Sequence, residues 1–242
     1  MCRPLCRFLL PALYASHMMK LAQYIDHTIL KATTTRADIQ RLCTEAVEHN
    51  FAAVCVPPYW VKEAVSLLQG ASVKIATVIG FPFGYAASQA KLAEVQQAIA
   101  DNADELDIVI NLCALKSGDW QYLEQEMKTL LGPVRANNRM VKVIIESGIL
   151  NAEEIIRCCN LYAALEVDFL KTSTGYAEKG ATLEAVQLMR QHLPSSIQIK
   201  ASGGIRNSRQ AMELINAGAT RLGCSASVAI VQDAEAGGKN VY

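Results

Sequence analysis

The sequence predicts an α/β fold: a single domain built as a (β/α)8 TIM barrel. Three observations carry that expectation. From Met19 onward, short β-branched apolar runs alternate with longer segments of helical period, the pattern of parallel strands joined by crossover helices. Eight such runs occur, the number a closed barrel requires. The 242 residues suit one such domain, and with 51% hydrophobic and 19% charged residues there is apolar material for a large core.

The first strand is expected at 24–28, followed by a helix that opens at Thr35 and turns Ile39, Leu42 and Ala46 to one face. The runs at 52–56, 73–79 and 105–110 supply strands two to four. After Asp119, a helix places Leu123, Met127, Leu130 and Val134 on its buried side. Strand five is expected at 141–145; Asn151 with Glu154 three residues later then reads as a capping box. Strand six is Phe169–Lys171 and strand seven 198–200, after which Asn207 and Gln210 repeat the capping-box spacing. Strand eight is expected at 221–223. An open doubly wound sheet would show a glycine-rich turn after its first strand; there is no Gly-x-Gly-x-x-Gly, no P-loop and no Gly-x-Ser-x-Gly elbow.

Lys plus Arg and Asp plus Glu each total 23, leaving no cationic excess for a nucleic-acid partner. No apolar stretch approaches the roughly 20 residues of a membrane helix. The eight cysteines are scattered with no Cys-x-x-Cys, and read as free thiols in a reducing cytoplasm. Histidines 17, 27, 49 and 192 show no metal-ligand spacing, so neither metal nor cofactor is expected. Residues 1–18 read as a non-native leader or cloning scar preceding a barrel domain at 19–242. Arg3 and Arg7 leave an apolar core of only about six residues, too short for a signal peptide.

Strands of a barrel are apolar on both faces, so charges within them are informative. They are Asp26, Asp107, Lys142, Lys171 and Lys200, on five strands whose C-terminal ends converge on one mouth. By parity, Lys142 shares a face with Ile144 and Glu146, and Asp107 with Glu105, Val109 and Asn111. Lys171 ends a buried run and opens into the hydroxyl-rich turn Thr172, Ser173, Thr174, Gly175. An ordinary lysine, with pKa about 10.4, is neutral in about one molecule in 2,500 at pH 7, so attack on a carbonyl requires that value to fall. Burial and a neighbouring cation both lower it, and Lys200 on the adjacent strand supplies the cation. Gly203 and Gly204 after strand seven, with Gly223 and Ser225 after strand eight, occupy the loops where barrels hold phosphate, which points to a phosphorylated substrate. His27 has the opposite parity to Asp26 and is expected outside the barrel; Cys158, Cys159, Trp60 and Trp120 read as packing residues.

Together these segments resemble the deoxyribose-phosphate aldolases. The resemblance runs from Tyr24 to Tyr242 through YIDHTILK at 24–31, AVCVPP at 53–58, VIGFPFG at 78–84, ADELDIVIN at 103–111, VKVIIE at 141–146, FLKTSTG at 169–175, IKASGGIR at 199–206 and RLGCS at 221–225. It implies that Lys171 forms a Schiff base, that Lys200 and Asp107 act in proton transfer and tune it, and that Lys142, Thr28, Cys55 and Thr174 line the site with Asp26 in support. Gly175, Gly203, Gly204, Gly223 and Ser225 would hold phosphate. The implied reaction is reversible, metal-free cleavage of 2-deoxy-D-ribose 5-phosphate to acetaldehyde and D-glyceraldehyde 3-phosphate, with the C3–C4 bond expected to break. Two departures, Tyr176 where Lys is common and Ala226 where Ser occurs, each remove a phosphate donor and imply weaker preference for phosphorylated substrates. Tyr242 is a candidate proton relay on the tail. The alternatives are another Schiff-base barrel aldolase or transaldolase, and a non-catalytic phosphosugar-binding barrel. The expected partners are a phosphorylated sugar and aldehydes, with a homodimer as the default assembly.

Overall fold

Eight parallel strands pair in chain order and close on themselves, with β8 beside β1. The computed structural model describes residues 21–237, so the expected leader at 1–18 and Tyr242 lie outside them. The strands are β1 (Ile25–Thr28), β2 (Ala53–Val56), β3 (Lys74–Ile79), β4 (Glu105–Val109), β5 (Met140–Ile144), β6 (Phe169–Lys171), β7 (Gln198–Ser202) and β8 (Arg221–Cys224). All eight expected runs become strands. The ends shift by one or two residues, most at β7, where Ala201 and Ser202 extend the ladder by pairing with Leu222 and Gly223. Small residues of that kind carry no apolar periodicity, so pairing alone decides where the strand stops.

Outside the barrel lie α1 (Arg36–Glu48), α2 (Val61–Leu67), α3 (Ser88–Ala100), α4 (Leu112–Lys116), α5 (Trp120–Ala136), α6 (Ala152–Ala164), α7 (Leu183–His192), α8 (Ser208–Asn216) and α9 (Ser227–Gly237). Ile39, Leu42 and Ala46 of α1, and Leu123, Met127, Leu130 and Val134 of α5, are buried against the strands as their spacing requires. Cys158 and Cys159 of α6 are buried in the same layer, and Trp60 and Trp120 pack against it from its edge. Capping boxes at Thr35–Asp38 and Asn151–Glu154 satisfy otherwise unpaired backbone donors. At α8 only half the box forms: Asn207 accepts from Gln210 N–H, but the Gln210 side chain takes the N–H of Arg206 instead. Replacing Asn151 with alanine removes the one acceptor for Glu154 N–H, and urea unfolding should show a loss of about 1 kcal/mol.

The interior of the barrel is divided. On β2 and β3, Cys55, Ala76 and Val78 form a small apolar wall, joined by Leu30 and Phe81. The remaining strands point charged side chains inward, all of them buried except Arg221, which is partly buried.

Candidate active site

Asp107 is the hub of the charged half. Its Oδ1 accepts from Lys142 at 2.8 Å, and its Oδ2 accepts from both Lys171 and Lys200 at 2.7 Å. The two lysine nitrogens are therefore no farther apart than twice that distance, as the register of Lys171 opposite Lys200 requires. Lys200 also donates to Asp26, whose second oxygen takes Arg221 Nε at 2.7 Å. Below them Glu105 closes the network, bonded to Lys142 at 2.6 Å and to Arg221 at 3.0 Å.

The network holds four cations (Lys142, Lys171, Lys200, Arg221) against three carboxylates (Asp26, Glu105, Asp107). One positive charge is in excess in a low-dielectric interior, and the residue with the fewest carboxylate contacts yields it. Lys171 has one such contact, whereas Lys200 and Arg221 have two each and Lys142 has three. Burial pulls the Lys171 ammonium below its ordinary pKa; the Lys200 charge adds to this, and Asp107 opposes both without cancelling them. Burial is thus the larger cause and the neighbouring cation the second, the reverse of the emphasis the sequence suggests. Burial also disfavours charge on Lys200 and Lys142, but Asp107 with Asp26, and Asp107 with Glu105, outweigh it and raise both. Asp107 would be raised by burial alone; the three ammoniums around it carry it well below the carboxylate range instead.

A cavity of about 650 Å³ opens onto this cluster at the C-terminal mouth. Of the network, Lys171 lines it; Thr28, Thr174, Gly175, Gly203, Gly204, Gly223 and Ser225 line it too. Lys142, Lys200, Asp107 and Asp26 lie beneath, fully buried, and Cys55 stands in the apolar wall with its thiol pushed up by burial. Of the other residues expected to line the site, Lys142 bonds to Asp107 and Cys55 stands level with Thr28 on the neighbouring strand; both are fully buried. Two of the glycines have packing causes as well. A Cβ on Gly203, at φ +87°, would come within 3.0 Å of Gly180 Cα, and one on Gly223 would come within 2.8 Å of the Ser202 side chain. The N-terminus of α9 enters the cavity through Ala226, Val228 and Ala229. Tyr176 spans the rim, donating its hydroxyl to Leu30 O at 2.7 Å with its ring edge-on to Phe81.

His27 sits outside the barrel as its parity predicts, bonded to Glu45 of α1 at 2.7 Å and to Ser227 of α9 at 2.9 Å. Glu105 and Arg221 stand at the starts of β4 and β8, where a charge reads on the sequence as a solvent-facing end; Glu105 is noted there only for its face and Arg221 is not singled out. Glu146, likewise noted only for its face, is buried beside Thr174 and accepts from its N–H and hydroxyl.

The comparisons agree with this geometry. A family model described as DeoC/LacD family aldolase matches residues 20–233. Deoxyribose-phosphate aldolase of Aciduliprofundum boonei is 47% identical over 216 residues, 89% of this chain and 97% of the relative. That of an Exiguobacterium species is 48% identical over 214 residues, covering 88% and 96%. Among solved structures, the fold superposes on QR15, an aldolase, with a TM-score of 0.85 and 37% identity over 92% of this chain and 99% of that one. It superposes on the tetrameric deoxyribose phosphate aldolase of Aeropyrum pernix with a TM-score of 0.83 and 30% identity, covering 89% and 91%.

Proposed function

The chain belongs to the DeoC/LacD family of aldolases, and from that premise we propose that it cleaves 2-deoxy-D-ribose 5-phosphate reversibly to D-glyceraldehyde 3-phosphate and acetaldehyde through a Schiff base on Lys171. One observation carries the reading: of four cations in the interior network, Lys171 alone reaches the cavity and has a single carboxylate partner. Its neutral amine adds to C1 of the open-chain sugar, and loss of water leaves an iminium. The bond that then breaks is C2–C3, not C3–C4 as expected from the sequence. Only the C2–C3 electron pair can pass into the iminium and leave the two-carbon enamine that becomes acetaldehyde. Lys200 and Asp107 tune the Lys171 nitrogen and serve proton transfer at the C1–C2 end, where the enamine is protonated at C2. The iminium is itself the electron sink, so the mechanism calls for no metal or cofactor.

We assign the phosphate to Gly203, Gly204 and Ser225 with the first turn of α9, where Val228 and Ala229 line the cavity and the unpaired N–H groups of a helix start favour an anion. Gly175 and Gly223 complete that wall. Tyr176 commits its hydroxyl to Leu30 and so offers the phosphate no donor. The expected consequence is a weak preference for phosphorylated over free deoxyribose. Tyr176→Lys should raise the ratio of the two kcat/KM values by about tenfold, the lower end of what a hydrogen bond to a charged group supplies. A ratio that does not change would remove position 176 from phosphate recognition. Among the described residues no helix is long and apolar enough to cross a membrane. We place the enzyme in the cytoplasm as a homo-oligomer, with the dimer as default; light scattering on the purified protein decides the number of subunits.

The direct test is borohydride reduction in the presence of acetaldehyde, followed by peptide mass spectrometry. A stable two-carbon adduct on Lys171 is the expected result. A non-catalytic sugar-binding barrel predicts an unmodified lysine, and a ketose aldolase or transaldolase predicts adducts with dihydroxyacetone units in place of acetaldehyde.

A further inference from the structure

We propose that Thr174 and Glu146 form a second proton relay, serving the sugar's C3 hydroxyl: Thr174 takes the hydroxyl proton as C2–C3 breaks, while its own proton passes to the Glu146 carboxylate. The inference rests on the aldolase reading above and assigns a step that reading leaves without a base. Protonation of the enamine needs an acid, and Lys200 is at hand. Removal of the C3 hydroxyl proton needs a base that ties up no ammonium.

The carboxylates around the site fall short one after another. Asp107 is bonded to three ammoniums, and Asp26 and Glu105 are each held by Arg221 and a lysine. On the cavity wall, Asp38 is taken by Thr35 and Arg41, and Glu45 by His27. Glu146 differs, since its hydrogen-bond donors are the neutral N–H and hydroxyl of Thr174. Thr174 lines the cavity three residues after Lys171, and its Oγ1 also accepts the Tyr176 N–H at 3.0 Å. With its proton directed at Glu146 and one lone pair filled by Tyr176, the hydroxyl has only an acceptor site left for a substrate O–H.

The backbone supports the same assignment. Glu146 adopts φ 53° and ψ 57°, a left-handed conformation that costs a side-chain-bearing residue energy and is held by its surroundings. The other non-glycine residues of positive φ among the described residues are Asn50, Asn102, Asn138 and Glu166, all exposed; Glu146 is buried. Thr174 alone bonds to it, and the charge of Lys171 acts on it without contact. Burial raises the Glu146 carboxyl above its usual range, and neither Thr174 nor Lys171 reverses this, which brings it closer to a working base than its neighbours.

The electrons balance within the site. The O–H pair of C3 becomes the second bond of the new carbonyl, the C2–C3 pair enters the iminium to give a neutral enamine, and the proton rests on Glu146. After the aldehyde leaves, the proton returns through Thr174 to water. Thr174 is then the catalytic residue, and Glu146 a positioning residue that fixes its hydroxyl and accepts its proton.

The test separates cleavage from the chemistry of the nitrogen end. In Glu146→Gln, kcat for cleavage should fall about 100-fold, and the parent's loss of kcat toward low pH should vanish, since only an ionised carboxylate takes the proton. The same variant should still form the borohydride-trapped acetaldehyde adduct. It should also exchange the methyl hydrogens of acetaldehyde with heavy water within about twofold of the parent, because neither reaction involves a C3 hydroxyl. Thr174→Ser should cleave within about fivefold of the parent and Thr174→Val about 100-fold more slowly. Equal losses of cleavage and exchange in Glu146→Gln, or equal cleavage by the two Thr174 variants, would overturn the relay. The Thr174 pair decides alone if Glu146→Gln does not fold. Absence of the trapped adduct in the parent would instead refute the aldolase reading itself.

Discussion

Lys171→Ala should lower kcat/KM for deoxyribose phosphate cleavage by at least about 10⁴-fold, about 5.5 kcal/mol of transition-state stabilisation. The loss is large because the side chain supplies the covalent bond, and no second amine can take its place. Lys142 and Lys200 are fully buried and locked to carboxylates that raise their pKa values. Folding should survive the change, since it removes the excess positive charge and leaves three cations facing three carboxylates. Steady-state assays together with a urea melt check both halves. A variant that retains a tenth of parental activity, or one that no longer folds, would contradict this account.

Asp107→Asn is expected to injure stability and catalysis together. Three ammoniums lose the carboxylate they share, and removing one partner from a buried ionic network costs about 3–5 kcal/mol. Because the folded carboxyl sits below its ordinary pKa, its stabilising contribution is complete above the unfolded value of about 3.9 and is lost as pH falls through the folded one. The parent should therefore lose stability under acid, and the variant should lose less over the same range. Activity should drop by about 10²-fold or more, since the hydrogen-bond acceptor of the reactive amine becomes a neutral amide. Urea unfolding at neutral and acid pH, beside the cleavage assay, measures each. A variant as stable as the parent at pH 7 would show that the network is not held by its shared oxygen.

Strand order and the convergence of Asp26, Asp107, Lys142, Lys171 and Lys200 were legible because parity and strand ends can be counted on a sequence. Height above the barrel floor cannot be counted in that way. That Lys142 and Cys55 are fully buried while Lys171 reaches the cavity was for that reason not legible. The decisive quantity, four cations against three carboxylates, required Arg221 and Glu105, whose positions at the starts of strands look like solvent-facing ends until the barrel closes. Glycine raised a different difficulty: Gly203 and Gly223 carry backbone and side-chain contacts that a naked N–H alone would not predict. Glu146 gave no local sign of its left-handed turn, since asparagine, not glutamate, is the usual occupant of that conformation.

The surplus cation has one more effect. Once the sugar is joined to Lys171 its nitrogen is positive again, and the interior is back in the state it disfavours. Collapse to the uncharged enamine discharges it, so the floor of the barrel pushes electrons toward nitrogen at the moment the carbon skeleton divides. The imbalance that makes the amine a nucleophile thus also makes its adduct a better electron acceptor, and one unpaired charge serves both halves of the cycle.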